Sequence, residues 1–291
     1  MSKRGRNFEP DVQIIKRGRF SIVTSCIDNI KSCDALFNEN SGISKQDRFH
    51  VIARMIYLGH EMTSFSAYAL AVAIQYIDYV IYFKSNNASE FPRLNPTSYM
   101  EYAMAAMSVA YKIHCTEDTK FAQYIITPGF NLFQMEIELM NRMTHPLFKQ
   151  TCISQLAKMF PRYSTTMQNI CNYLVFISYV HPFFVGVDPV CIAIAVHIIG
   201  AVACNTFGLL KLECQNIKNP DRELTLRTMD FVMESWRYMY SAKGRDEFHM
   251  NQVYGSMQRE FVSDIAPLSE TLYESVQLWY SEWCRINNKK H

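Results

Sequence analysis

Long stretches of helical spacing with few interruptions constrain this fold more than any other feature. Only ten glycines and ten prolines occur in 291 residues, and apolar residues recur between them at intervals of three and four. The clearest stretch runs from Lys45 to Met62, and Ser44 is a suitable N-cap for it. Its apolar face consists of Val51, Met55, Leu58 and Met62. This pattern predicts an almost wholly helical protein.

The helical pattern begins a second time after Pro146. The first series has five predicted helices: from Lys45 to Met62, after Ser64 through Ile81, from Pro96 to about Lys112, after Thr116, and from Asn131 to Met143. A loop is predicted from Lys84 to Pro96. The second series has three helices, from Leu147 to Phe160, from Ser164 to Tyr179 and from Pro189 to Phe207. Two further helices run from Pro220 to Tyr240 and from Leu268 to Arg285. The third helix of each series is rich in alanine, which suits a helix surrounded by others. Two copies of one five-helix unit would explain the repetition.

Charge and cysteine usage narrow the classes of function. The formal net charge is only +2, so the chain has no overall field that would attract nucleic acid or an anionic membrane. The first twenty residues are basic. They form either a solvated tail or a segment for nuclear import or partner docking. Nine cysteines without a CxxC pair predict reduced thiols and an intracellular location. The longest apolar run, Val190 to Cys204, is shorter than the roughly 20 residues that a membrane span needs.

No catalytic motif is present in the sequence. A glycine-rich phosphate loop, HExxH and GxSxG are all missing. The nearest approach to a cluster is His114 and Cys115 followed by Glu117 and Asp118, which is either a metal or nucleophile site or a helix-terminal turn. His181 and His197 are interpreted as interior histidines rather than ligands. We therefore expect no enzyme activity, no metal, no cofactor and no small-molecule substrate. The remaining alternative is a helical enzyme whose site is assembled from residues distant in sequence.

Two charged residues stand out from apolar surroundings. Lys112 ends an alanine-rich helix, and Glu136 lies among Phe133, Met135, Ile137 and Leu139. A charge in such surroundings must be paired or reach water. From the residues alone, they form either a structural ion pair or two exposed helix ends.

Several segments resemble the cyclin box. Leu70 to Asp78 (LAVAIQYID) resembles the second box helix, and Ala105 to Lys112 (AAMSVAYK) resembles the third, with its Ala-x-Lys ending. Met135 to Met143 (MEIELMNRM) is similar to the fifth. Asp188 to Ala195 (DPVCIAIA) resembles the start of the third helix in a second box. The resemblance covers about residues 45–210.

The resemblance implies an all-α fold of two tandem cyclin-box-like domains. These occupy residues 45–145 and 146–242, between a basic, partly helical N-terminal segment (1–44) and a C-terminal helical extension (243–291). The implied function is a regulatory subunit that forms a heterodimer with a cyclin-dependent protein kinase and activates it, in cell-cycle or transcription control in the nucleus or cytoplasm.

The resemblance also implies the roles of particular side chains. In cyclins, a lysine and a glutamate at the places of Lys112 and Glu136 form the charged centre of the kinase interface. Their apolar neighbours here would be Ile113, Ile137 and Met140. An aspartate like Asp78 pairs with an arginine of the first helix, and Arg48 and Arg54 are both candidates.

Departures from the family pattern leave an alternative open. The acidic pair that usually follows the lysine is replaced by Ile113-His114-Cys115, and the first helix lacks the tryptophan-bearing substrate-docking pattern. The chain thus resembles a divergent or virus-encoded member. The alternative is a cyclin-fold adaptor in transcription or meiotic chromosome function that activates no kinase. A DNA-binding adaptor would need basic residues spread over one face, and here the basic excess lies in the N-terminal segment.

Overall fold

A computed structural model describes residues 37, 42–62, 65–86, 94–115, 131–142, 150–160, 163–206, 221–241, 244 and 264–287. Over these ranges the chain forms nine α-helices and one short 3-10 helix, with no strand. The prediction of an all-α protein is confirmed. No helix in these ranges is both long and apolar enough to cross a membrane.

The helices follow the predicted order with some shifted ends. They are α1 Lys45–Glu61, α2 Ala67–Asn86, α3 Pro96–His114, α4 Leu132–Arg142, α5 Cys152–Met159, α6 Thr165–Val180, α7 Pro189–Ala203, α8 Arg222–Tyr240 and α9 Glu270–Asn287, with the 3-10 helix Pro182–Phe184 after α6. The predicted helix after Thr116 and most of the basic segment lie outside the described residues.

Three predicted helix ends differ most from the structure, two of them for a reason visible in the backbone. Helix α5 begins at Cys152 instead of Leu147, because Thr151 and Ser154 form a capping box there. Helix α7 ends at Ala203 instead of Phe207, since Asn205 adopts a left-handed conformation with φ of 55°. Helix α2 continues to Asn86, which puts the first residues of the predicted loop in the helix.

The two alanine-rich helices lie at the centres of their helix groups. Helix α3 packs against α1, α2 and α4, and these four helices are called the first group. Helix α7 packs against α5, α6 and α8, and these four are called the second group. Seven alanines of these helices are inaccessible to solvent, at Ala103, Ala105, Ala106, Ala110, Ala193, Ala195 and Ala201. Ala203, the last residue of α7, is partly exposed. The small alanine side chains allow close approach of the neighbouring helices, as expected.

The two groups share one hydrophobic core. Helix α1 contacts α6, and α2 contacts both α5 and α6. The buried Arg48 of α1 reinforces this contact, because one of its guanidinium nitrogens donates hydrogen bonds to the carbonyl oxygens of Tyr179 and Val180 at 2.8 and 3.2 Å. The first group is thus attached to the end of α6 by a hydrogen-bonded side chain as well as by apolar packing.

The C-terminal helix α9 packs on α8. Tyr280 and Trp236 are fully buried, and the Tyr273 hydroxyl donates a hydrogen bond of 2.8 Å to the Asp230 carboxylate. Arg237 and Glu270 form an exposed ion pair with an N–O distance of 2.6 Å. Helix α9 is therefore an integral part of the second group's surface.

His197 lies in the core, as its surroundings in the sequence predicted. Its ring stacks on Phe160 with a centroid distance of 3.6 Å. Its Nδ1 shares a hydrogen bond of 2.7 Å with the Tyr163 hydroxyl. Burial lowers the pKa of His197 from 6.5 to about 3, so the folded protein holds the neutral imidazole.

This histidine should make the fold sensitive to mild acid. The unfolded chain takes up a proton near pH 6.5 and the folded chain only near pH 3, so stability is full above pH 6.5 and is lost as the pH falls. We expect His197 to contribute a loss of about 2 kcal/mol in unfolding free energy between pH 7 and pH 5. His197→Gln keeps a polar partner for Tyr163 without the titration, so urea unfolding at the two pH values should show a smaller difference. An unchanged difference would contradict this assignment.

Candidate functional site

The last turn of α3 brings a lysine and an isoleucine to the surface. Asn95 and Ser98 form a capping box at the start of this helix, with Pro96 in its first turn. Every residue from Tyr102 to Tyr111 is buried, whereas Lys112 and Ile113 are exposed. The lysine lies at the C-terminal end of the helix, where the helix dipole stabilises a positive charge.

Two contacts fix helix α4 beside α3. The side chain of Leu139 is completely buried, and the hydroxyl of Tyr102 on α3 donates a hydrogen bond of 2.5 Å to Glu138. Together they set which face of α4 points away from the core. Glu136, Ile137 and Met140 consequently face the end of α3 or the solvent.

Lys112 and Glu136 form an ion pair across the two helices. The Lys112 ammonium lies 2.7 and 2.6 Å from the two carboxylate oxygens of Glu136. The side chain of the lysine is 55% exposed and that of the glutamate 10%. The nearly buried carboxylate of Glu136 needs this partner, while the half-exposed ammonium of Lys112 remains accessible to another molecule.

Apolar side chains surround this pair. Ile113, Ile137 and Met140 are each more than a third exposed. With the ion pair they line a hollow of about 340 Å³, completed by Val109 and Asn141. Large apolar side chains on a surface, grouped around a neutralised charge pair, are typical of protein–protein contact sites.

The partner of Asp78 lies on the first helix. Arg48 donates to both Asp78 carboxylate oxygens at 2.8 Å, and the arginine is completely buried. The other candidate, Arg54, is exposed and places its guanidinium 5.5 Å from the ring centroid of Tyr57. This pair belongs to the interior, away from the hollow.

The His114–Cys115 pair does not form a cluster in the part of the molecule that is described. The ring of His114 meets that of Tyr68 edge to face at 5.0 Å, and burial lowers the pKa of the histidine. Glu117 and Asp118 lie outside the described residues. Over the described ranges, no group of three His, Cys, Asp or Glu side chains is placed to hold a metal ion.

Sequence reasoning missed one exposed residue of this face. Phe133 lies on α4 one turn before Ile137, and 69% of it is exposed. Its spacing of four from Ile137 and seven from Met140 places the three on one helical face, so the pattern was available in the sequence.

Comparison with known proteins adds no family assignment. No protein-family model matches this sequence, and no curated protein matches it. Conclusions about its function therefore rest on its motifs and its structure.

Proposed function

We propose that this chain is a cyclin-like regulatory subunit that binds a cyclin-dependent protein kinase and activates it, without catalytic activity of its own. The main observation behind this proposal is the Lys112–Glu136 pair, with its half-exposed lysine, surrounded by Ile113, Ile137 and Met140. The cyclin-box-like motifs described above contain four of these five residues, and Ile113 directly follows one of them, so sequence resemblance and geometry indicate the same face.

The ion pair and its three apolar neighbours form a surface, here called the docking face, that suits the binding of another protein. Its residues are Lys112, Ile113, Glu136, Ile137 and Met140. Apolar side chains supply affinity when a partner removes them from water, and the charged pair restricts the orientations in which the partner can bind. The face also needs little ordering on binding, because Leu139 and the Tyr102–Glu138 hydrogen bond hold α4 against α3. A preorganised surface loses less entropy in the complex and so binds more tightly.

Activation would follow from selective binding. A kinase exchanges between inactive and active positions of the helix that contains its catalytic glutamate. A subunit that binds the active position more tightly shifts the population toward it. Kinase activation by this chain then requires no reacting group on the chain itself.

The departure from the usual cyclin pattern affects which kinase fits. Ile113 is an exposed apolar residue where an acidic side chain is usual, and His114 and Cys115 follow it. The partner surface opposite this end of α3 should accordingly be less basic and more apolar than in a standard pair. This chemistry favours a kinase that differs from the common cell-cycle partners at that position.

A panel of cyclin-dependent kinases tests the proposal. We expect the wild-type chain to retain at least one kinase in a pull-down, and both Lys112→Ala and Glu136→Ala to lose it. The cost of removing one member of an interfacial charge pair is about 2–5 kcal/mol. Arg237→Ala and Glu270→Ala are controls outside this face, since this pair also joins two helices with an N–O distance of 2.6 Å, although Glu270 is more exposed than Glu136.

Two outcomes would contradict the kinase proposal. Binding that survives both alanine substitutions would place the interface elsewhere. Failure of the wild-type chain to retain any kinase would favour the adaptor without kinase activation. In that case a salt-dependent mobility shift with DNA would further indicate a nucleic-acid role.

A further inference from the structure

The large exposed apolar residues of the described ranges are concentrated on α4 and the adjoining end of α3. Six large hydrophobic residues are exposed over the described ranges, and four of them lie on α4 or at the end of α3. These four are Ile113, Phe133, Ile137 and Met140. Isolated apolar residues on a surface are normal, whereas a contiguous group indicates a contact site.

Phe133 extends this group beyond the hollow. It is not among the residues that line the hollow, yet it shares a face of α4 with Ile137 and Met140 at spacings of four and seven. The three side chains therefore form a stripe about 10 Å long, from the rise of 1.5 Å per helical residue. The hollow and the ion pair occupy only its C-terminal part.

The exposure of Phe133 is unusual for its residue type. At 69% exposed, the ring has few contacts with the protein itself, so it adds little to the stability of the fold. Aromatic side chains supply large contact areas with little loss of conformational entropy, and they are over-represented among the residues that dominate binding energy. An exposed phenylalanine continuous with a docking face is therefore a candidate anchor.

We propose that Phe133 is a partner-selecting anchor, whose ring inserts into an apolar depression on the kinase beyond the surface that meets Lys112 and Glu136. This inference rests on the proposed function. It adds that the cognate kinase has an apolar depression about one helical turn away from its contact with the charged pair. Kinases with a charged or flat surface at that place should bind this chain more weakly.

Phe133 should contribute only to the affinity for the kinase, whereas the Lys112–Glu136 pair should also determine how the kinase is oriented. Loss of the ring removes affinity without altering the part of the face that orients the kinase helix. We expect Phe133→Ala to raise the dissociation constant of the cognate kinase about tenfold or more. At saturating concentration the same variant should reach the kinase activity obtained with the wild-type chain.

A matched control is available on another helix. Leu278 is 72% exposed on α9, so Leu278→Ala removes a comparable exposed apolar side chain from a helix outside the docking face. The affinity of this variant for the kinase should equal that of the wild type. Circular dichroism melting of both variants should match the wild type, because neither side chain is part of the core.

The possible outcomes are separated by titrating the kinase with four proteins: the wild-type chain, Phe133→Ala, Leu278→Ala and Lys112→Ala. Weaker binding by Phe133→Ala, with unchanged maximal activity and an unaffected Leu278→Ala, supports the anchor. If Lys112→Ala weakens binding and Phe133→Ala does not, the anchor is wrong and the proposed function stands. If both exposed-residue variants weaken binding equally, Phe133 has no selective role. If the wild-type chain binds no kinase, the proposed function and the anchor both fail.

Discussion

Exchanging the two charges of the docking face, in a Lys112→Glu/Glu136→Lys double variant, should leave the chain folded and weaken kinase binding by about a hundredfold or more. The exchange can rebuild an ion pair between the same two helix positions, but it reverses the field that a partner meets. Each hydrogen-bond donor or acceptor of the kinase would then oppose a group of the wrong sign. The measurement is the equilibrium dissociation constant, with unfolding curves recorded in parallel.

The exchanged pair should keep the variant folded at a moderate cost in stability. Glutamate at the end of α3 is unfavourable to the helix dipole by about 0.3–1 kcal/mol, and the rebuilt pair still neutralises the charge at position 136, where the wild-type carboxylate is only 10% exposed. An Arg237→Glu/Glu270→Arg exchange on α8 and α9 is the matched control and should not affect binding. A charge-exchanged docking face that binds the kinase as tightly as the wild type would contradict the account.

Arg48→Met should destabilise the fold by about 3–5 kcal/mol. The substitution leaves the Asp78 carboxylate without its bidentate partner and removes the two hydrogen bonds to the Tyr179 and Val180 carbonyls. Because Arg48 is completely buried, water cannot replace these contacts without opening the structure. Urea unfolding followed by circular dichroism measures the loss.

Two companion variants make this test specific. Arg54→Ala on the same helix removes an exposed arginine whose described contact is with the Tyr57 ring, and it should cost less than about 1 kcal/mol. The double variant Arg48→Met/Asp78→Leu also removes the carboxylate that Arg48→Met leaves unpaired, so it should recover part of the stability. If Arg48→Met is no more destabilising than Arg54→Ala, the assigned role of Arg48 is wrong.

The sequence was most informative where local rules determine the structure. The capping residue Ser44 begins α1 as predicted, because its side chain accepts a hydrogen bond from the Asp47 amide. The alanine-rich character of α3 and α7 predicted their central positions, since only small side chains permit close packing on several sides. The end of α7 was misjudged, because an apolar run continues past Ala203 although the backbone turns at Asn205.

Features that depend on tertiary contact were less predictable. Spacing alone could not choose between Arg48 and Arg54 as the partner of Asp78, since both lie on α1 and only packing against α6 decides which is buried. The same is true of the two additional hydrogen bonds that Arg48 donates to α6. The proximity of Lys112 and Glu136, 24 positions apart in sequence, was one of two alternatives that the residues alone left open, and only the cyclin resemblance favoured it.

The most direct test of the central claim is phosphotransfer by the kinase that the wild-type chain retains. The account predicts that adding the purified wild-type chain increases phosphorylation of a peptide substrate and that the Lys112→Glu/Glu136→Lys variant does not at the same concentration. Equal stimulation by both proteins, or no stimulation by a wild-type chain that binds the kinase, would contradict it.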